Sequence, residues 1–199
     1  MIPRIVTAPT VEPVTLAEAK EHLRIVSDDE DTLIEGLIIA ARQMVESGES
    51  WSLERSLVNT TWRVKLDEWP CDEDGDAEIE LPRPPLVSVS SITYLDTANT
   101  SQTLSSSLYT VDSHNEPGRI VPSYNSIWPE VLDHVNAITV TYVAGYGATA
   151  ADVPQAIKQA ILLCVGDLYE QREMTITGTI VNVLPTVRAL LNPFQWRYR

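Results

Sequence analysis

Long apolar runs are missing from this 199-residue sequence. No stretch approaches the ~18 apolar residues of a membrane-spanning helix, so no membrane partner is expected. The opening residues, Met1-Ile2-Pro3-Arg4-Ile5-Val6-Thr7, lack the apolar core of a secretion signal, and folding in a cytoplasm is the expectation. Cysteine is scarce. Cys71 falls in an acidic loop and Cys164 on an apolar helix face, which reads as two free thiols and not a disulfide or a metal site. Histidine is scarce too: His22, His114 and His134 fall in a helix, a turn and a loop, none with a second ligand at i+3 or i+4. Neither a metal centre nor a histidine base follows from that spacing.

Positive charge is also thin, with 14 Lys and Arg against 28 Asp and Glu and a net charge of −14. Phosphate contacts need cations, so the acidic body is a poor grip for nucleic acid, although DNA can slide past it. Catalytic motifs are missing as well. No Gly-x-Ser-x-Gly elbow occurs. Gly145-Tyr146-Gly147 sits between a strand and a helix, where a phosphate cradle would, but has no third glycine and no Lys-Ser/Thr pair. It reads as the exit from a β module. Asp72, Asp74 and Asp76 have the look of a calcium loop, yet counting from Asp72 puts Ala77 where the tight turn wants glycine and Arg83 where a bidentate glutamate belongs. No cofactor is expected, and no enzyme pocket.

What the sequence does have is a change of charge along its length. Residues 1–54 sum to −7, residues 55–145 to −8, and residues 146–199 to +1. The last 26 residues hold no acid, three arginines (Arg188, Arg197, Arg199) and the aromatics Phe194, Trp196 and Tyr198. Trp, Tyr, Phe and Arg are the side chains that most often dominate interfaces. An acidic body with a basic, aromatic tail reads as an assembly part with a docking arm.

Periodicity divides the chain. Thr15 and Glu18 are spaced as a capping box, opening a helix with Leu16, Ala19 and Leu23 on one face and an end near Arg24. Ser27 and Glu30 repeat that spacing. Asp28, Asp29, Glu30 and Asp31 then fill a first turn, where negative charge suits the helix dipole. Leu33, Ile34, Leu37, Ile38, Ala41, Met44 and Val45 give the second helix an apolar stripe that should stop near Ser47-Gly48. From about 55 to 146 the period becomes two. Runs at 57–66, 87–95 and 137–143, with shorter ones at 78–81, 108–112 and 119–122, predict a six-strand antiparallel module. Helical spacing returns after Asp152-Val153-Pro154 with Ile157, Ala160, Ile161, Cys164, Val165 and Leu168. Residues 175–184 read as extended, and residues 186–191 as a last short helix. The expected fold is α+β, a helical bundle of three main helices plus a short C-terminal one with an antiparallel β module inserted. Its expected parts are an arm and helical hairpin (1–54), the β module (55–146), the third bundle helix (147–173) and an extended C-terminal arm (174–199).

Several stretches also recur together in one known order. They are Pro13-Val14-Thr15-Leu16-Ala17-Glu18-Ala19-Lys20, the helix over 29–46, Leu66-Asp67-Glu68-Trp69-Pro70, and Leu81-Pro82-Arg83-Pro84-Pro85-Leu86-Val87-Ser88-Val89. Gly118-Arg119-Ile120, Val143-Ala144-Gly145-Tyr146-Gly147, Val153-Pro154-Gln155-Ala156-Ile157 and Leu168-Tyr169-Glu170-Gln171-Arg172-Glu173 follow. In this order they resemble the phage head–tail connector (adaptor) family, proteins that attach beneath the portal of tailed-phage capsids. The turn Ser47-Gly48-Glu49-Ser50 departs from the Thr-Gly-Arg-like turn of many relatives, and residues 174–199 match none of the family's motifs.

The resemblance implies a structural virion protein that passes through the host cytoplasm before assembly. It implies a ring of about twelve identical copies below the portal, closed head-to-tail around the DNA exit channel. Its other partner would be a stopper or tail-side neck protein, and DNA would pass without specific binding. Two mechanistic expectations follow. The acids Asp28, Asp29, Glu30, Asp31, Asp72, Asp74 and Asp76 are candidates for the ring or channel surface. Arg188, Phe194, Trp196, Arg197, Tyr198 and Arg199 are candidates for the arm that docks on the portal. The competing readings are another neck component, such as a stopper or tail-completion protein, and an acidic DNA mimic.

Overall fold

In the computed structural model, residues 1–47, 51–70, 77–171 and 185–195 are described. The chain divides into two compact units, Met1–Pro9 with Asn59–Tyr146, and Thr10–Val58 with Gly147–Arg199.

The first unit is antiparallel β. Alternation in β2 (Thr60–Leu66) buries Thr60, Trp62 and Val64 and exposes Arg63 and Lys65. The same period in β8 (Ile138–Ala144) turns Ile138, Val140, Tyr142 and Ala144 inward. With β1 (Arg4–Thr7), β4 (Leu86–Leu95) and β5 (Ser101–Thr103) they form a five-stranded sheet in the order β1-β2-β8-β4-β5. A second sheet, β3-β7-β6, joins β3 (Ile79–Leu81), β7 (Gly118–Pro122) and β6 (Tyr109–Asp112). The inward faces share one core: Val64, Ile92, Val140 and Tyr142 from the larger sheet, Ile79, Leu81 and Ile120 from the smaller. Tyr142 is fully buried, and its hydroxyl donates to the Pro82 carbonyl at 2.8 Å, which satisfies the polar end of an otherwise apolar side chain.

Among the described residues there are eight strands, not six. The six expected runs are all present. The two others lacked a pattern to betray them: β1 is four residues, exposed throughout, and β5 is Ser-Gln-Thr with no apolar position. β1 also corrects the expected grouping, because residues placed with the helical hairpin pair instead with β2.

The second unit is helical. At α1 (Leu16–Leu23) the capping box forms as expected. The Thr15 hydroxyl accepts from the Glu18 N–H at 3.2 Å, and a Glu18 carboxylate oxygen accepts from the Thr15 N–H at 2.7 Å. The helix ends at Arg24, which takes the left-handed conformation at φ 59. α2 (Asp31–Glu46) buries Ile34, Ile38, Ala41 and Val45. Leu33 and Met44, expected on that stripe, are exposed, and Arg42 takes a buried place on α2 that no apolar pattern marks. Its guanidinium donates to Glu12 and to Glu46, each at 2.6 Å, so the charge is paired where water is excluded. α3 (Gln155–Glu170) buries Ile157, Ala160, Ile161, Cys164 and Val165 and packs on α1 and α2. α4 (Pro185–Leu191) lies against α3 and buries Val187 and Leu191.

The second capping box did not form. Glu30 is the N-cap of α2 and makes no side-chain cap hydrogen bond, while the Ser27 hydroxyl turns back on Asp29. α2 ends at Glu46 with Ser47 as its C-cap, close to the expected Ser47-Gly48. Gly48 itself and the expected extended stretch 175–184 lie outside the described residues.

Candidate docking surfaces

The acidic turn before α2 is a bound network and not a free cluster. Lys20 reaches from α1 and donates to Asp28 at 2.5 Å and Asp31 at 2.6 Å. Hydrogen bonds donated to these two acids raise the Lys20 amine, and the Lys20 contact lowers the Asp28 carboxyl. Asp29 is held by Ser27, and Glu30 accepts the Tyr169 hydroxyl from α3. Four acids against one lysine still leave the turn negative, but three of the carboxylates are oriented by neighbours in other turns or helices. Asp72, Asp74 and Asp76 lie outside the described residues.

Of the basic, aromatic arm, Arg188 and Phe194 are described; Trp196, Arg197, Tyr198 and Arg199 lie outside. Val187 and Leu191 fix α4 by burial, which turns Arg188, one position on from Val187, out to solvent. Beyond α4, Asn192–Phe194 makes a single 3-10 turn. The Arg55 Nε, on a buried side chain, donates to the Phe194 carbonyl at 2.6 Å. That contact spans 139 residues of sequence and carries no local signal, which is why Arg55 escapes sequence reasoning. The root of the arm is therefore anchored by a charge-assisted hydrogen bond.

A third surface was not foreseen. None of the chain's 28 acidic residues lies in the five strands of the larger sheet, which nevertheless hold Arg4, Arg63 and Lys65. Register places Arg4, Arg63, Thr141 and Ser91 in one row across the outward face, with Lys65, Thr139, Thr93 and Thr103 in another. Arg4, Arg63 and Lys65 make no ion pair among the described residues. Together with Ile2, Ile5 and Val6 they line a cleft of about 820 Å³ beside β1, the edge strand. The smaller sheet shows the opposite habit: Arg119 is clamped by Glu78 at 2.9 Å and Asp112 at 3.1 Å.

Among the described residues no group of three or more His, Cys, Asp or Glu is placed to hold a metal, and no helix is long and apolar enough to cross a membrane. The Cys164 thiol is buried, which together with Asp167 pushes it up to about 11 and leaves it a poor nucleophile. In the Gly145-Tyr146-Gly147 turn, Gly147 is packed tightly. A Cβ there would stand 2.3 Å from the Asp152 carboxyl, which instead accepts from the Thr149 N–H at 2.9 Å.

Three comparisons bear on this architecture. The sequence matches the model of the phage gp6-like head–tail connector protein family over residues 13–118, just over half of its length. No curated protein is similar. Among solved structures, the fold is similar to a chain in the neck of an empty GTA particle, computed with C6 symmetry. The identity there is 20%, covering 100% of this chain and 97% of that one, with a TM-score of 0.78. A chain in the virion of the native gene transfer agent particle gives the same figures, 20%, 100%, 97% and 0.78. A chain in the neck of the native GTA particle, computed with C12 symmetry, is 17% identical, covers 100% of this chain and 98% of that one, and has a TM-score of 0.67.

Proposed function

Since this chain belongs to the phage gp6-like head–tail connector family, we propose that it is a neck subunit whose copies close into a ring between portal and tail. The family match carries the reading. The likeness of the whole chain to neck proteins of symmetric particles supports the ring, with twelve copies the number that C12 symmetry suggests. Cyclic closure joins two different faces of each subunit, and obligate interfaces of this kind bury more than about 2,000 Å² in total. The subunit is a structural part of the virion at the head–tail interface, made in the host cytoplasm.

Its partners on this reading are further copies, the portal on one side and a stopper or other tail-side neck protein on the other. The acids Asp28, Asp29, Glu30, Asp31, Asp72, Asp74 and Asp76 lie on the ring or channel surface, so that packaged DNA meets like charge and passes without sticking. Screening confines that effect to about 8 Å at physiological salt. The arm, with Arg188, Phe194, Trp196, Arg197, Tyr198 and Arg199, docks on the portal, and the Arg55 anchor supports this by fixing where the arm starts. A net charge of −14 per copy opposes association in dilute solution, so the portal gathers the ring.

Deletion of residues 192–199 tests the arm. The shortened chain is expected to stay folded and to lose portal attachment, scored by electron microscopy of portal rings mixed with the protein. Unchanged attachment would refute the arm.

A further inference from the structure

The cationic cleft beside β1 has no role in the reading above. We propose that it is one half of the copy-to-copy contact, the surface on which one subunit receives an acidic face of the next. The proposal rests on the ring reading.

Charge complementarity carries it first. Each copy brings 28 acids and 14 bases, so an acidic face is what a neighbouring copy chiefly has to offer. The five strands of the larger sheet hold Arg4, Arg63 and Lys65 and no carboxylate, and Asp67, just past the end of β2, accepts from the Asn136 N–H at 2.6 Å at the margin of the cleft. Thr141 and Thr139 stand next to Arg63 and Lys65 in the register, and their hydroxyl groups can donate to the same acidic face.

The apolar rim argues for a protein and against DNA. Ile2, Ile5 and Val6 are 80%, 53% and 45% exposed on and beside the edge strand. Apolar side chains gain by burial against another protein and add little on a phosphate backbone. Among the described residues β1 pairs on one side only, with β2, which leaves its other edge able to meet a partner's polar groups. The register of β1 shifts between Ile5 and Thr7, an interruption of regular pairing, and Arg4 lies on the same edge strand. Both features blunt indiscriminate strand pairing, leaving a contact selected by charge.

Such a contact is heterologous: the cationic cleft and the acidic face are different parts of each copy, as ring closure demands. A copy with a ruined cleft but an intact acidic face should therefore cap a growing arc of wild-type copies.

Carbodiimide coupling, which joins a lysine amine to a touching carboxylate, tests this on rings of the full chain gathered on portal from light and heavy isotope-labelled copies. Crosslinked peptides should join Lys65 of one copy to an Asp or Glu of another. The double variant R63E/K65E, which removes the charge repulsion between Arg4 and Arg63, should be at least as resistant to urea as the wild type. It should associate at least about tenfold more weakly, a loss of about 1.4 kcal/mol, and poison wild-type assembly at substoichiometric levels. Lys65→Arg should assemble normally and lose the crosslink. Rings without any Lys65 crosslink between copies, or an R63E/K65E protein that assembles as well as wild type, overturn the proposal and leave the ring intact. A duplex oligonucleotide that binds the wild type but not R63E/K65E also overturns it, by reassigning the face to phosphate. Copies that never associate, alone or in assembled particles, overturn the ring reading as well.

Discussion

Arg4 stands directly opposite Arg63 in the antiparallel register of β1 and β2. Like charges at facing positions weaken a ladder, on the scale of about 0.2–1 kcal/mol. Replacing Arg63 by Thr, a good strand former, should therefore stabilise the free subunit by up to about 1 kcal/mol in urea unfolding. The gain should shrink as salt is raised, because both side chains are at the surface. A loss of stability would mean that the two guanidinium groups are not a liability in the isolated chain.

Gly118 opens β7 where a side chain has no room. A Cβ built there would stand 2.5 Å from the Leu86 Cβ, at the edge of the sandwich core. The obstacle is the first carbon of a strand residue, which cannot swing away without moving β4. Gly118→Ala should cost about 1–3 kcal/mol in denaturant unfolding. A neutral result would show that β4 and β7 separate easily.

Asp112 makes the β unit sensitive to acid. The Asn115 amide first, then the Arg119 guanidinium and the backbone N–H groups of His114 and Asn115, hold its carboxyl at about 2. A carboxyl depressed in the folded state stabilises above its unfolded value and loses that contribution as pH falls through the folded one. The window here runs from about pH 4 down to about pH 2. Asp112→Asn should lower the melting temperature at neutral pH and flatten its fall across that window. Parallel curves for variant and wild type would remove Asp112 from the account.

Arg55 should control the arm's root. Arg55→Met removes the donor to the Phe194 carbonyl while keeping most of the apolar stem, and a hydrogen bond to a charged group is worth about 1.5–3 kcal/mol. Carboxypeptidase should digest past Phe194 faster in the variant than in the wild type. Equal rates would show that burial of Val187 and Leu191 alone fixes α4.

How much of this was legible beforehand follows from distance along the chain. The Thr15–Glu18 box spans three residues, and the alternation of Trp62, Val64 and Leu66 is a local pattern; both were readable. Leu33 and Met44 were misassigned because a stripe seven positions wide exceeds the face that α2 buries, which follows Ile34, Ile38, Ala41 and Val45. Ser27 had the spacing of a cap but found Asp29 closer at hand. The cleft was invisible because it is assembled by register. Arg4 and Arg63 become neighbours only once β1 lies on β2, and a four-residue exposed strand announces nothing. The acidic turn was visible as composition, while its tether to Lys20 and Tyr169 was not.

The capping acid Glu18 has a second duty whose timing matters. Its other carboxylate oxygen accepts from Lys158 at 2.8 Å, 140 residues further along. On the ribosome, α1 must wait for most of the polypeptide to be made before this partner emerges, whereas all eight described strands have by then been synthesised. Messages cut short before that lysine codon would yield the eight described strands attached to helices that lack their clasp, and quality control would meet them as half-built parts.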